Sequence, residues 1–185
     1  MSFPPAHFLI GAATAELMDT ERRLPRPHAW AVGGLLAVLP DFDVALDRVI
    51  ADLPPHGTYS HSLTAAAIMA LLGWAAGGRR WGVLTGATYT SHLLVDLMDD
   101  VGPTNVMLAW PFSHAEAIGL GHIFPAVVFH RGDGVLGAAL SLLEPAVLTQ
   151  LALQTVVGGV FALGLMGLAR VVRRGREQRS EKYEV

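Results

Sequence analysis

The 185-residue chain is 52% hydrophobic and only 16% charged, with a mean hydropathy of +0.43, too apolar for an ordinary soluble domain. Its net charge of -3 conceals two basic clusters, Arg22, Arg23 and Arg26, then Arg170, Arg173, Arg174, Arg176 and Arg179. That split speaks of membrane topology, and no direct binding of nucleic acid is expected. The absence of cysteine excludes disulfides, thiolate metal sites and cysteine nucleophiles, so any metal has to be held by His, Asp or Glu.

The first residues, 1–6, lack the basic start and small-residue cleavage pattern of a secretory signal, and are expected to stay in the mature protein. Two short apolar segments follow, at 7–18 and 29–39, joined by the basic, proline-containing stretch 21–28. Each is too short to cross a membrane alone; a half-inserted hairpin and packing inside longer helices both fit. The segments 62–77 and 81–98 are joined by Gly77, Gly78, Arg79 and Arg80, which predicts a tight helical hairpin with Ser60 or Ser62 as its N-cap. Between Asp99 and Leu143, the glycines, prolines and the turn 131–134 predict a surface segment with one or two short helices. Residues 145–172 form the clearest helix, long enough at about 1.5 Å per residue to cross a ~30 Å hydrocarbon core. The expected fold is all-α: an integral membrane bundle of three long and two short N-terminal helices. It forms one domain over 1–173, with a polar cytoplasmic tail at 174–185.

Threading these segments up and down puts Arg22, Arg23, Arg26, Arg79, Arg80, Arg170, Arg173, Arg174, Arg176, Arg179 and Lys182 on one side, leaving Arg48 and Arg131 on the other. The positive-inside rule makes the first side, with the C-terminus, cytoplasmic. The same threading gathers His7, Asp41, Asp43, His56, His61, His92 and Asp96 at the opposite, extracytoplasmic face of a bacterial or archaeal inner membrane. Ionisable groups at membrane depth cost at least ~2.5 kcal/mol at a helix centre, so their clustering asks for a functional reason.

His92 and Asp96 stand at i and i+4 of a helix, on one face, where both can grip a cation. Leu39-Pro40-Asp41-Phe42-Asp43 reads as an extended stretch that offers two carboxylates, one toward a metal and the other toward orienting a ligand or acting as base. His56 and His61 flank a flexible, hydroxyl-bearing turn at the mouth of a helix, where Ser60, Ser62 and free amides suit an anionic substrate. Trp110, in Trp110-Pro111-Phe112-Ser113, belongs at the membrane interface and lines a substrate entrance. His28, His114, His122 and His130 are left out of the site, only His114 having a nearby carboxylate in Glu116.

A histidine near the N-terminus, Leu-Pro-Asp-x-Asp, His-x4-His-Ser, Ser-His-x3-Asp and Trp-Pro-Phe-Ser, in this order over about residues 5–115, resemble the YdjM-like (DUF457) family of membrane-bound metal-dependent hydrolases. That family is similar in turn to zinc-dependent phospholipase C and P1 nuclease. The resemblance implies a divalent metal site, zinc by analogy, with one to three ions. Asp41, His61, His92 and Asp96 would hold one ion, and His7 with a shared Asp96 a second. His56 and Asp43 would be further ligands or support them. By the same resemblance Gly57 stands where many members carry arginine, and Ser60 where threonine is common.

Two functions follow as expectations. One is hydrolysis of an ester or phosphoester of a lipid or envelope component by metal-activated water, with Asp43 or Asp96 accepting the proton. The other is a non-catalytic, metal-stabilised membrane regulator or scaffold with a protein partner, in keeping with the family's link to a DNA-damage repressor.

Overall fold

The computed structural model describes residues 4–19, 24–46, 50, 53–99, 104–124, 140 and 142–183. The expected turn at 131–134, His130 and the arginines at 22, 23, 48 and 131 lie outside them. The described residues form helices α1 (Pro4–Met18), α2 (Arg26–Val38), α3 (Asp43–Leu46), α4 (Leu63–Gly77), α5 (Arg79–Leu97) and α6 (Pro145–Tyr183), with a 3-10 turn at Leu39–Phe42 before α3. Among these residues no strand forms, and the fold is all-α.

Helix α1 starts earlier than its apolar run because prolines fit a first helical turn, whose N–H groups have no intrahelical partner anyway. It is the hub of the bundle, packed against α2, α5 and α6, with His7, Ile10 and the run from Gly11 to Glu16 buried. Helix α2 lies against α1 and α5 with much of its remaining surface exposed. The α1–α2 crossing is made by reciprocal small residues, Gly11 and Ala15 against Gly33 and Ala37. A Cβ placed on Gly11 would lie 2.3 Å from the Ala37 Cβ, and one on Gly33 2.4 Å from the Ala15 Cβ. Small side chains at this spacing let two backbones approach.

Helices α4 and α5 form the expected hairpin, turned at Gly78 with φ 76°. Ser62 caps α4, its hydroxyl accepting from the Ala65 N–H at 3.0 Å. Between Thr104 and Phe124 the described residues form turns and no helix, and most of the rest of the segment expected to hold one or two short helices lies outside the described residues. This segment closes the end of α5 through Ile123 N–H to the Met98 carbonyl (2.9 Å), and Phe124 packs with Ala6, Ile10 and Val95.

Helix α6 is the one described helix long and apolar enough to cross a membrane, its most apolar 18-residue window, within Pro145–Arg179, having a mean hydropathy of 1.9. Helix α4 has only 15 residues, and the 19 of α5 include Arg79, Arg80, His92 and Asp96. The end expected near residue 172 is overrun: the helix continues to Tyr183, since Arg, Glu, Gln and Lys are good helix formers. The tail is therefore polar but largely helical.

One end of the bundle is tied by ion pairs. Buried Glu16 accepts from Arg26 at 3.0 Å, the Trp30 indole at 2.8 Å and Arg173 at 2.9 Å, joining α1, α2 and α6. Beside it Arg80 of α5 pairs with Asp19.

Candidate metal centre

At the opposite end of α1, all seven His and Asp residues singled out in the sequence come together. His7 is delivered by α1, Asp41 by the 3-10 turn, Asp43 by the start of α3, His56 and His61 by the connection into α4, and His92 and Asp96 by α5. The turn at Leu39–Phe42 corrects the extended stretch expected for Leu-Pro-Asp-Phe-Asp. Pro40 sits in the first turn of a 3-10 helix, and the Asp43 N–H bonds back to the Pro40 and Asp41 carbonyls. The two carboxylates reach opposite nitrogens of the His61 ring, Asp41 facing Nε2 and Asp43 facing Nδ1.

The nitrogen atoms define what the cluster wants. His92 Nδ1 lies 2.7 Å from the Ala37 carbonyl, which only accepts, so Nδ1 carries the hydrogen and Nε2 is the lone-pair atom of the neutral ring. The Ala37 carbonyl belongs to the last turn of α2, where carbonyls lack intrahelical donors. His61 Nδ1 faces the Asp43 Oδ2 at 3.4 Å and the Ser60 hydroxyl at 2.9 Å, and since Ser60 gives its hydrogen to Asp43, His61 Nδ1 is again the donor. Both Nε2 atoms therefore turn lone pairs toward the same point, 3.0 Å apart.

Asp96 Oδ2 joins them at 3.0 Å from His92 Nε2 and 3.3 Å from His61 Nε2, and Asp41 Oδ1 lies 3.7 Å from each nitrogen. Ligand bonds of about 2.0–2.1 Å give a tetrahedron edges of about 3.4 Å, which the five distances just given bracket, and His61, His92 and Asp96 form one group with donor atoms within 4.8 Å of one another. Four acceptors aimed at one point repel one another unless a positive charge, a proton or a metal ion, lies among them. The donor set of two imidazoles and two carboxylates suits a borderline divalent ion such as zinc.

Two further groups share members with this one: His7, Asp41 and His92, and Asp41, His56 and His61, each with donor atoms within 4.8 Å of one another. His7 stacks on His92 with ring centroids 3.9 Å apart, and its Nε2 is 3.4 Å from Asp96 Oδ1. The Asp96 carboxylate thus spans His7 on one oxygen and His61 and His92 on the other.

Asp43, 2% exposed, sits behind the histidines. It accepts from His56 Nδ1 on one oxygen and from Ser60 and His61 on the other, which turns the Nε2 of each ring inward. Burial pushes its pKa up, and hydrogen bonds from His56, His61 and Ser60 more than reverse this, holding it well below the usual carboxylate range. Burial lowers the pKa of His61, but Asp41, Asp43 and Asp96 outweigh it and raise the group well above an ordinary histidine. The same negative field favours a divalent ion.

The other expected groups are engaged as follows. Asp43, expected as a base or as a support to the ligands, has both oxygens facing donors. Ser62, expected at the substrate, is fully buried and spends its hydroxyl on the α4 cap and the Tyr59 carbonyl. Ser60 is likewise spent on Asp43 and His61. Trp110 is half-buried near Tyr59, ring centroids 6.4 Å apart, while Phe112 beside it is 88% exposed. Gly57, at φ 93°, lies under the 104–108 segment, where an added Cβ would meet the Asn105 carbonyl oxygen at 2.1 Å. That position is committed to backbone contact.

A scan against protein-family models matches residues 1–176 to the YdjM inner membrane protein model. The chain belongs to the YdjM inner membrane protein family. Membrane association follows from that membership and from α6. Comparison with curated proteins and with solved structures found no match.

The YdjM-family chain also uses groups its sequence did not advertise. The Ala37 carbonyl has no side-chain signature. Tyr89, three residues before His92 on α5, is buried and donates its hydroxyl to the Ser60 carbonyl at 2.7 Å, fixing the His56–His61 loop. A tyrosine in an apolar helix needs such a partner, and that need was the available signal.

Proposed function

We propose that this protein is a membrane-bound metal-dependent hydrolase of an ester or phosphoester, with α4, α5 and α6 crossing the inner membrane. The basic end faces the cytoplasm and the His/Asp centre the opposite side. The observation that carries the reading is the pair of Nε2 lone pairs on His61 and His92, converging with Asp41 and Asp96 while their Nδ1 atoms are held as donors. His61, His92, Asp96 and Asp41 would hold one divalent ion, and His7 and His56 would extend the centre through Asp41 and Asp96. A bound divalent ion supplies Lewis-acid polarisation of the scissile group and makes water a nucleophile near neutral pH.

The chain's own residues divide the remaining work. Asp43 locks the rings of His56 and His61, and the Ala37 carbonyl locks His92. Asp41 Oδ2 is buried without a hydrogen bond, on the side chain that is the most exposed of the seven, so Asp41 takes the role of proton acceptor that Asp43 cannot fill. Elemental analysis of protein purified in detergent, with hydrolysis of p-nitrophenyl phosphate and of phospholipid vesicles measured with and without chelator, tests the reading. Retained hydrolysis by a metal-free His92→Ala protein would refute it.

The second reading, a regulator or scaffold whose metal only fixes the fold, is favoured by the count of donors: four protein ligands close a tetrahedral site. The two 3.7 Å edges at Asp41 separate the readings. If Asp41 gives way to water, Asp41→Asn retains metal and loses turnover. In a closed structural site it loses metal.

A further inference from the structure

Resting on the reading that α6 crosses the bilayer, we infer that the His/Asp centre opens sideways into the outer half of the membrane, below its surface, and that what enters it is a lipid.

Helix α6 serves as a ruler. Near its basic end Arg173 meets Glu16 of α1, and further along Gly158 packs on Ala6, next to His7, where a Cβ on the glycine would lie 3.0 Å from the Ala6 Cα. From Arg173 to Gly158 is about 22 Å at 1.5 Å per residue. Starting the ~30 Å hydrocarbon core at the arginines leaves the centre about 8 Å short of the outer boundary. Helix α6 itself runs on past Gly158 to Pro145, about another 20 Å.

The α4–α5 hairpin measures the same depth independently. Its turn carries Arg79 and Arg80 at the basic end, and the 15 residues of α4 climb about 22 Å before reaching Ser62 and His61. Both measures put the centre inside the slab.

The opening has the matching chemistry. Among the seven residues only Asp41 and His56 have side chains more than a tenth exposed, 18% and 12%. Leu39 and Phe42, which a 3-10 turn places on one side, and Leu46 beyond them, are 41%, 58% and 44% exposed. An apolar rim beside the open edge of a charged centre suits acyl chains, with the scissile group at Asp41 and His56.

The cysteine-free chain makes the test direct. Single spin labels at Phe42→Cys and Leu46→Cys, in full-length protein in phosphatidylethanolamine/phosphatidylglycerol nanodiscs, are compared with labels at Val160→Cys and Arg176→Cys. Oxygen-to-nickel accessibility ratios at 42 and 46 are expected to match position 160 and exceed position 176 several-fold. Ratios equal to that at 176 overturn the inference, whatever the protein hydrolyses. Metal-dependent turnover of vesicle lipid supports it, and turnover of p-nitrophenyl phosphate but not of vesicle lipid overturns the substrate class while sparing the hydrolase reading.

Discussion

His61 and His92 come from a loop and a helix 31 residues apart, yet their Nε2 atoms face each other across 3.0 Å with both Nδ1 positions already occupied as donors. Such an arrangement is repulsive when empty of positive charge and binding when a cation shares the lone pairs. Purified protein is therefore expected to carry at least about one divalent ion per chain, and chelation to lower its thermal stability. A ligand at a hundred times its Kd adds about 2.7 kcal/mol, so a melting shift of several degrees is expected. His92→Ala should lose both the metal and the chelator-sensitive part of the stability. An unchanged metal content in that variant would dispose of the centre.

Asp43 touches no point of the proposed tetrahedron and acts through His56 and His61. Outer carboxylates of this kind change metal affinity about 10- to 100-fold when replaced. Asp43→Asn should weaken binding by that amount in a metal titration while leaving the stoichiometry intact, whereas Asp96→Ala should abolish binding. Equal losses in the two variants would make Asp43 a ligand.

The pattern of apolar runs made α4 and α6 legible, because Gly-Gly-Arg-Arg and Pro145 punctuate them, and the cap at Ser62 was readable from its place before the run. The seven metal-type residues were legible as a set, since charges in apolar sequence need a reason. Their division of labour was not. The roles of Asp41 and Asp43 depend on the 3-10 turn, which the alternation of residues misread as extended chain. Glu16 looked like an interruption of an apolar segment, because its partners Arg26, Trp30 and Arg173 lie on other helices, the last 157 residues away. The Ala37 carbonyl had no side chain to announce it.

Ala37 also links packing to chemistry. Its Cβ meets Gly11 at the α1–α2 crossing, and its carbonyl holds His92. Gly11→Ala is expected to push the helices apart and cost about 1–3 kcal/mol, as overpacking does. It should also weaken metal binding, because His7 and the His92 acceptor ride on the two helices that separate. Gly164→Ala on α6, where an added Cβ meets nothing within 4 Å, is the control and should leave metal binding unchanged while raising stability by up to about 1 kcal/mol through helix propensity. Thermal melts and metal titrations of the two variants check the coupling. Loss of stability with unaltered affinity would uncouple the crossing from the centre.

Arg173 and Glu16 pin the long helix to the bundle from the other end. Their side chains are 7% and 4% exposed, so removing one leaves a buried charge behind. Truncating one member of such a pair costs about 3–5 kcal/mol, whereas replacing both with apolar groups is often near neutral. Arg173→Ala should therefore destabilise the protein strongly, and Glu16→Leu combined with Arg173→Leu should recover part of the loss, short of full recovery because Arg26 and Trp30 also donate to Glu16. Because Arg173 sets the height of α6 against α1, Arg173→Ala should also broaden the depth of a label at Phe42→Cys. A double variant no better than Arg173→Ala alone would show that the pair does more than balance its own burial.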